Sequence, residues 1–329
     1  MKLILGTMNF GPQVDPAGSK EMVHRFLEAG HCELDSAYVY NNGETERILG
    51  TIFSEMANGS YSIATKVHPR ITGKLDGEAV IMQLEESLQR LCLDSVDILY
   101  FHFPDRTTPS EDALETCAKL HAAGKFRELG LSNFPAWMVV DIWHLCKERG
   151  WPVPTVYQGL YNGLSRNVES ELFDALRKTG MRFYAFNPLA GGLLTGKHAN
   201  FQSDPLPGRF SRLDSYKSRY WKKSFFEAVD SLAESCREAD IKPVEAAFRW
   251  LIHHSKLDSS KGDGIIIGAS SMAQFEQNMA VLKQDLLPEK VLMAYDLAWA
   301  EAKSDSPEYF RFFKSDQRQL LRPGVFRCL

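Results

Sequence analysis

The sequence of 329 residues lacks the features that mark several functional classes. Its six cysteines are scattered, with no C-x-x-C pair and no histidine at metal-ligand spacing beside them, which disfavours a zinc site and a disulfide framework. No uninterrupted apolar run reaches roughly 18 residues, and no apolar leader follows Met1. With 38 Lys and Arg against 42 Asp and Glu, no positive field attracts phosphate backbones or anionic lipid. We therefore expect a cytoplasmic protein without metal, nucleic-acid or membrane partners.

The chain also lacks a linker rich in Pro, Gly or Ser, so nothing divides it into two domains. Its 44% of hydrophobic residues supply ample apolar surface for one large core. Short apolar or β-branched runs alternate with segments whose apolar residues recur every three or four positions. This alternation is typical of parallel strands joined by helices.

Eight strands and eight helices can be counted in the alternation. The predicted strands are 3–5, 33–36, 61–67, 97–102, 126–132, 155–158, 182–187 and 264–268. The predicted helices are 19–29, 44–55, 76–91, 111–123, 135–148, 170–179, 224–239 and 272–281. Because no G-x-G-x-x-G follows the first strand, eight repeats favour a closed (β/α)8 TIM barrel over an open dinucleotide-binding sheet.

Three segments fall outside the eight repeats. Residues 191–223 form an extra loop after strand seven, and a loop of that length is more often functional than accidental. Residues 288–303 have the pattern of one extra C-terminal helix. We expect a single domain over 1–311, followed by a tail at 312–329 whose order the sequence leaves open.

Four polar residues fall at the carboxyl ends of three consecutive predicted strands, where the chemistry of a barrel is located. Asp35 closes strand two, Tyr40 follows five residues later, Lys66 closes strand three and His102 closes strand four. Each alone has a structural explanation, since an aspartate can cap a helix and a lysine can extend to solvent. Together they form a candidate proton-transfer group.

The chemistry of this set fits carbonyl reduction. A tyrosine with a pKa of about 10 is a weak acid at neutral pH, but a nearby ammonium lowers that pKa. Asp35 would hold Lys66 in place and keep it charged beside Tyr40. His102 can donate a hydrogen bond to a carbonyl oxygen, so donors meet the charge that develops there.

Several longer strings carry a resemblance to a known family. They are GTMNFG at 6–11, LSNF at 131–134, YQGLYN at 157–162, FNPLAGGLLTGK at 186–197 and YFR at 309–311. With the four strand-end residues, these strings closely resemble the aldo-keto reductase superfamily over roughly residues 1–311. Within it, the chain is most similar to the aflatoxin-aldehyde, or succinic semialdehyde, reductase branch.

The resemblance implies an NADPH-dependent reductase on a (β/α)8 barrel without a metal. By position, the contacts to the nicotinamide carboxamide are Ser132, Asn133 and Gln158. The loop over the pyrophosphate is implied at Asn187, Pro188, Leu189, Gly191, Gly192, Leu194 and Lys197. The grip on the adenosine phosphate is implied at Arg209, Ser270, Ser271, Gln274 and Asn278. Hydroxyls with an arginine suit a 2′-phosphate, which favours NADPH over NADH.

The same resemblance assigns three residues to the substrate, namely Tyr216, Arg219 and Arg311. Trp221 is a fourth candidate, because an aromatic residue at the barrel mouth can line a pocket for a bulky carbonyl compound. Arg311 matches a C-terminal arginine suited to a substrate carboxylate. Two departures matter here. Gln274 stands where many superfamily members have arginine, so the 2′-phosphate would depend on Arg209. The chain also continues for 18 residues beyond Arg311, and this tail could displace Arg311 or cover the pocket.

The leading hypothesis is therefore reduction of an aldehyde or ketone, with hydride from nicotinamide C4 and a proton from Tyr40. One alternative is a nicotinamide-binding regulatory subunit with slow turnover. Another is a ketoreductase or alcohol dehydrogenase dedicated to one biosynthetic pathway, which the same four residues would serve equally well. The branch also suggests a homodimer, although the sequence shows no interface pattern.

Overall fold

Within the residues that the structure describes, eight strands and twelve α-helices follow one another along the chain. The computed structural model describes residues 1–56, 59–198, 200–281 and 285–312. The strands are β1 Lys2–Gly6, β2 Glu33–Asp35, β3 Ser62–Val67, β4 Val96–Phe101, β5 Phe126–Ser132, β6 Pro154–Leu160, β7 Arg182–Phe186 and β8 Gly264–Ile267. The helices within these residues are α1 Pro16–Glu28, α2 Glu44–Ser54, α3 Gly77–Leu91, α4 Ser110–Ala122, α5 Ala136–Arg149, α6 Leu172–Thr179, α7 Arg209–Arg212, α8 Asp214–Tyr220, α9 Lys223–Glu238, α10 Pro243–His253, α11 Met272–Val281 and α12 Glu289–Ala302.

The strands form a closed parallel barrel. Each strand pairs with the next along the chain, and β8 pairs with β1. The register brings Lys66 on β3 opposite Tyr100 on β4, and Ser132 on β5 opposite Gln158 on β6. Closure removes the exposed edges that an open sheet would present. The (β/α)8 barrel predicted from the sequence is therefore confirmed.

The side chains inside the barrel lie in layers. An apolar inner cluster is formed by Ile4, Ala64, Ile98, Tyr100, Val156, Tyr184 and Ile266. Successive side chains on a strand point to opposite faces, so residues two positions apart share the interior. Moving two positions toward the carboxyl end from Ala64, Tyr100 and Val156 leads to Lys66, His102 and Gln158. The apolar inner cluster therefore lies beneath a polar layer at the carboxyl mouth of the barrel.

The sequence pattern does not predict α7, α8 or α10, and it misplaces the start of α1. Helix α10 was not predicted, because counting one helix per strand assigned 224–239 to the place before β8. In the structure α9 packs mainly on α12, whereas α10 packs against α11. Helix α1 begins three residues before its predicted start. Asp15 accepts a hydrogen bond from the Gly18 N–H there, and Pro16 suits the first helical turn.

The extra loop after β7 contains short helical pieces, and the extra C-terminal helix is α12. The loop includes a 3-10 segment at Ala190–Thr195 followed by α7 and α8. Across the part of the chain that the structure describes, no helix is both long and apolar enough to cross a membrane. The single domain over 1–311 stays a prediction. Of the predicted tail, residues 313–329 lie outside the described residues.

Candidate active site at the barrel mouth

The four candidate catalytic residues meet at the carboxyl end of β2, β3 and β4. Asp35 is the last residue of β2, Lys66 lies on β3, and His102 directly follows β4. Tyr40 begins a 3-10 turn, Tyr40–Gly43, that leads from β2 into α2. Its ring centroid lies 6.1 Å from that of His102 in an edge-on arrangement. The spacing seen in the sequence thus corresponds to one cluster in space.

Lys66 lies at the bottom of this cluster. Its side chain is 0% exposed, and its Nζ donates hydrogen bonds to Asp35 Oδ1 at 2.7 Å and to the Ser36 carbonyl. Nζ is also 5.1 Å from the ring centroid of Tyr40. Burial lowers the pKa of Lys66, while Asp35 opposes that shift. A buried ammonium needs such a paired carboxylate, because an isolated one is costly.

Burial dominates the proton affinity of Tyr40. It raises the pKa of the Tyr40 phenol well above its usual value, and the negative charge of Asp35 raises it further. Arg209 opposes the shift, but only as a smaller contribution. The sequence suggested that the Lys66 ammonium lowers this pKa, yet burial and Asp35 outweigh it here. Tyr40 is therefore held as a phenol, the form that can donate a proton.

His102 is held as a neutral imidazole. Burial lowers its pKa well below the usual value, and the nearby His68, Lys66 and Arg70 lower it further. Its Nδ1 has no hydrogen-bond partner among the described residues. A neutral imidazole donates through one ring nitrogen only. With the proton on Nε2, His102 can offer that hydrogen to an oxygen beside Tyr40.

Three amide and hydroxyl side chains extend the cluster along β5 and β6. Asn133 adopts a left-handed backbone with φ of 64°, which asparagine tolerates better than most residues. Its Nδ2 donates to the His102 carbonyl and to Ser132 Oγ, both at 2.9 Å. Gln158 donates through Nε2 to Asp35 Oδ1 at 2.8 Å. Asn133 and Gln158 are thus bonded directly to His102 and Asp35, and Ser132 is bonded to Asn133.

The segment after β7 makes a tight left-handed turn suited to an anion. Asn187, Ala190, Gly191 and Gly192 all have positive φ. A Cβ added to Gly191 would lie 2.9 Å from the ring of Tyr216, so only glycine fits beneath that ring. Successive N–H groups in such turns can face phosphate oxygens. The turn includes Pro188 and Leu189 and continues through Leu194 to Lys197.

Arg209 connects this segment to the loop after β8. Its Nη2 donates to Asn9 Oδ1 at 3.2 Å, and Asn9 Nδ2 donates to the Ala269 carbonyl at 2.8 Å. Ser270 follows directly, and its Oγ donates to Gln274 Oε1 at 2.8 Å. In the same loop and helix, Gln274 N donates to Ser271 Oγ and Asn278 Nδ2 donates to the Gly268 carbonyl. The residues implied to grip an adenosine phosphate therefore share one hydrogen-bonded region.

The candidate substrate residues divide into two places. Tyr216 donates to Asn187 Oδ1 at 3.1 Å, and Arg219 lies 5.4 Å from the Tyr216 ring centroid. The backbone N–H of Arg311 donates to the Asn133 carbonyl at 3.0 Å, which brings the C-terminal arginine to the mouth. Partial burial and the charge of Arg219 lower the pKa of Arg311. Trp221 instead packs among the rings of His198, Phe210 and Phe226.

Sequence reasoning missed two residues of the mouth. Asn9 connects Arg209 to the loop after β8. His68 lies next to His102, with ring centroids 5.1 Å apart, and a buried Gln83 bonds both its backbone N–H and its carbonyl. The signal for His68 was present, since it lies two residues after Lys66 and so shares its face. Asn9 lies in the GTMNFG string at 6–11, but that string does not show that its partners are Arg209 and Ala269, which are distant in sequence.

Comparison with known proteins agrees with this geometry. The model of the aldo/keto reductase family matches residues 2–299. The human protein "Aflatoxin B1 aldehyde reductase member 2" is 45% identical over 321 residues, covering 94% of this chain and 89% of that protein. Human "Aldo-keto reductase family 7 member A3" is 43% identical, with 94% and 96% covered. "Oxidoreductase sirO" of Leptosphaeria maculans is 32% identical, with 93% and 96% covered.

These matches confirm the resemblance found in the sequence strings, including its similarity to the aflatoxin-aldehyde reductase branch. The matched region includes every strand of the barrel. Family membership supports carbonyl reduction and makes the protein an oxidoreductase. The chain belongs to the aldo/keto reductase family.

Proposed function

We propose that the protein reduces an aldehyde or ketone to the alcohol with NADPH, using Tyr40 as the proton donor. One observation carries this proposal. The buried Lys66 and Asp35 pair lies beneath the Tyr40 ring, and the ring of neutral His102 meets the Tyr40 ring edge-on. These groups supply two neutral donors for one oxygen and a buried positive charge close to them. A carbonyl oxygen that gains negative charge during reduction is stabilised by such an arrangement.

Each residue has a distinct task in the proposed reaction. When bound, the nicotinamide supplies the hydride that reaches the carbonyl carbon. His102 orients the carbonyl oxygen through its N–H, and Tyr40 transfers its phenolic proton to that oxygen. Lys66 stabilises the phenolate that Tyr40 leaves behind, since an ammonium favours the charged form of a neighbouring acid. Asp35 keeps Lys66 in position and charged.

The residues present fit the cofactor that the family generally uses. Ser132, Asn133 and Gln158 offer amide and hydroxyl groups beside the candidate catalytic residues. The turn at 187–192 has the positive φ values of an anion-binding backbone. Arg209 lies within reach of the loop that carries Ser270. We propose that Arg209 and Ser270 hold the 2′-phosphate, which makes NADPH the preferred cofactor.

The mouth also favours an acidic carbonyl compound. Arg219 and Arg311 lie close enough for the charge of Arg219 to lower the pKa of Arg311. Within the described ranges neither arginine has an ion pair with a carboxylate, so both cations keep their binding capacity. A substrate carboxylate between them would relieve the repulsion. A cytoplasmic location and a homodimer stay predictions from the sequence.

The proposal predicts that Tyr40→Phe lowers turnover at least about a thousandfold, since the position then has no proton to donate. Oxidation of NADPH would be followed with an aromatic aldehyde, succinic semialdehyde and a bulky diketone. Tyr61→Phe, which removes a hydroxyl from a ring stacked on Phe53 and away from the set of four, should keep more than about a tenth of the activity. NADPH binding, measured by quenching of protein fluorescence, should be unchanged in Tyr40→Phe.

Two results would contradict the proposal. If Tyr40→Phe turned over normally, the proton would come from another group. If the wild-type protein bound NADPH tightly but reduced no member of the panel, the regulatory or dedicated-pathway alternative would gain support.

A further inference from the structure

A charged cluster that is buried at Glu46 and Arg90 and open to solvent at Glu86 lies behind the mouth, between the barrel and helices α2 and α3. We call it the Arg90 cluster. Its members are Tyr38, Glu46, Thr65, Glu86 and Arg90. The side chains of Glu46 and Arg90 are 0% and 13% exposed. None of the five belongs to the group proposed to touch carbonyl or cofactor.

One side of the cluster contacts the strand that carries Lys66. Glu46 Oε1 accepts a hydrogen bond from Thr65 Oγ1 at 2.6 Å, and Thr65 immediately precedes Lys66 on β3. Arg90 Nη1 pairs with Glu46 Oε2 at 3.3 Å. Burial raises the pKa of Glu46, while Thr65 and Arg90 oppose that shift. The guanidinium therefore stabilises a carboxylate that fixes β3 from outside the barrel.

The other side of the cluster contacts residues before and after Tyr40 in the turn that carries it. The guanidinium of Arg90 stacks 4.3 Å from the ring centroid of Tyr38, two residues before Tyr40. Arg90 Nη2 and Tyr38 Oη both donate to Glu86 Oε2 at 2.7 Å. At the far end of the turn, a Cβ added to Gly43 would lie 2.8 Å from the guanidinium. Arg90 thus contacts the chain on both sides of Tyr40.

We infer that Arg90 is a positioning residue for Tyr40, holding the 40–43 turn so that the phenol stays above Lys66 and beside His102. The inference rests on the proposed role of Tyr40. A planar guanidinium suits the task because it can stack on Tyr38 while its separate N–H groups reach Glu46 and Glu86. Lysine, with one compact charge, cannot make all of these contacts at once. Small displacements of a reacting group reduce turnover strongly, even when the changed residue touches no substrate.

The test compares Arg90→Met with a matched control, Arg249→Met. Arg249 on α10 is 10% exposed, pairs with Glu245 and donates to the carbonyls of Asp285 and Leu286. Both variants remove a buried arginine while keeping an unbranched apolar side chain, so both should lose stability. Only Arg90→Met should lower kcat, by at least tenfold, with the NADPH dissociation constant changed less than twofold. Arg90→Lys should recover part of kcat.

A second pair of variants keeps the question answerable if Arg90→Met does not fold. Gly43 and Gly30 both have φ of +84°, but an added Cβ at Gly30 meets nothing within 4 Å. Gly43→Ala and Gly30→Ala therefore carry similar backbone strain, and only the first pushes against the guanidinium. We expect kcat to fall at least fivefold in Gly43→Ala alone.

The outcomes separate this inference from the proposed function. Turnover by the wild-type protein, and its loss in Tyr40→Phe, establish the role of Tyr40 whatever Arg90 does. If that holds and Arg90→Met and Gly43→Ala keep kcat within twofold of their controls, the positioning role is wrong and Arg90 serves stability alone. If Tyr40→Phe turns over normally, the proposed function fails first.

Discussion

At the scale of single residues, the partner of each arginine distinguishes structural from binding roles. Arg177 and Arg249 are bonded to carboxylates. Arg209 instead bonds the neutral amide of Asn9 and has no ion pair within the described part of the chain. An arginine whose partner is neutral keeps its charge available for a phosphate or carboxylate. Arg209 is therefore the strongest candidate for discrimination between NADPH and NADH.

We predict that Arg209→Met raises the KM for NADPH at least about tenfold while leaving the KM for NADH within about twofold. A hydrogen bond to a charged group contributes about 1.5–3 kcal/mol, and 1.4 kcal/mol corresponds to a factor of ten. Steady-state kinetics with both cofactors measures the effect. The control is Arg212→Met, which changes an exposed arginine at the other end of the same short helix α7. An equal loss for both cofactors would remove Arg209 from the 2′-phosphate.

The sequence revealed the four candidate catalytic residues through their spacing but not the groups that support them. Asp35, Lys66 and His102 could be placed at one mouth because parallel strands end on the same side of a barrel. Arg90 could not be linked to Tyr40, since helical period predicts only which face of α3 is buried. Which distant groups meet on that face depends on how α2 and α3 pack. The roles of the four candidate catalytic residues stay predictions, whereas their common location at the barrel mouth is a feature of the fold.

At the scale of elements, the lower end of the barrel is bound together by a second polar network. Tyr184 on β7 donates to Glu33 Oε2 on β2 at 3.1 Å, and its hydroxyl accepts from Lys2 Nζ at 3.0 Å and Arg182 Nε at 2.9 Å. Lys2 also pairs with Glu33. Arg182 in turn forms a two-pronged pair with Glu128 on β5. Residues at this amino-terminal face of a barrel serve stability rather than chemistry.

We predict that Glu33→Gln lowers the free energy of unfolding by about 1–3 kcal/mol, because Lys2 and Tyr184 lose a buried charged partner. Urea unfolding followed by circular dichroism measures the loss. The exposed pair of Glu21 and Arg25 on α1 supplies the control, since Glu21→Gln should have no measurable effect on stability. kcat should stay within about twofold in both variants. A large loss of kcat in Glu33→Gln would show that the two ends of the barrel are coupled.

The elements that the sequence missed also have a physical explanation. Val244, Ala247, Phe248 and Leu251 have helical spacing, so α10 was visible as a pattern. The sequence analysis assigns one helix to each strand. Because two long helices, α9 and α10, lie between β7 and β8, the second of them was not counted. The short helices α7 and α8 have too few residues for periodicity to register. Local pattern therefore predicts regular elements well and inserted ones poorly.

At the scale of the whole molecule, several histidines are kept neutral by the fold. Burial lowers the pKa of His31, His68, His102, His198 and His254. In the unfolded chain the same side chains take up protons below about pH 6.5. Between that pH and their lowered native values, the unfolded state binds more protons than the native state. Stability is therefore complete above about pH 6.5 and falls as the pH is lowered.

We predict that the free energy of unfolding falls between pH 7.5 and pH 5.5, and that His68→Asn makes this fall smaller by about 1 kcal/mol. One buried neutral histidine contributes at most about 1.4 kcal/mol for each pH unit below its unfolded pKa. Urea titrations at several pH values give the slope. His144→Asn changes an exposed histidine on α5 and should leave the slope as in the wild-type protein.

The change of the free energy of unfolding with pH is more informative than its value at any one pH. The reason is that removing His68 also changes packing against His102 and Phe103. That packing loss is the same at every pH and cancels in the slope. A wild-type protein equally stable at pH 7.5 and pH 5.5 would show that native and unfolded states bind the same number of protons. The mouth would then tolerate a charged histidine next to Lys66. That result would contradict the conclusion that the fold keeps His102 neutral.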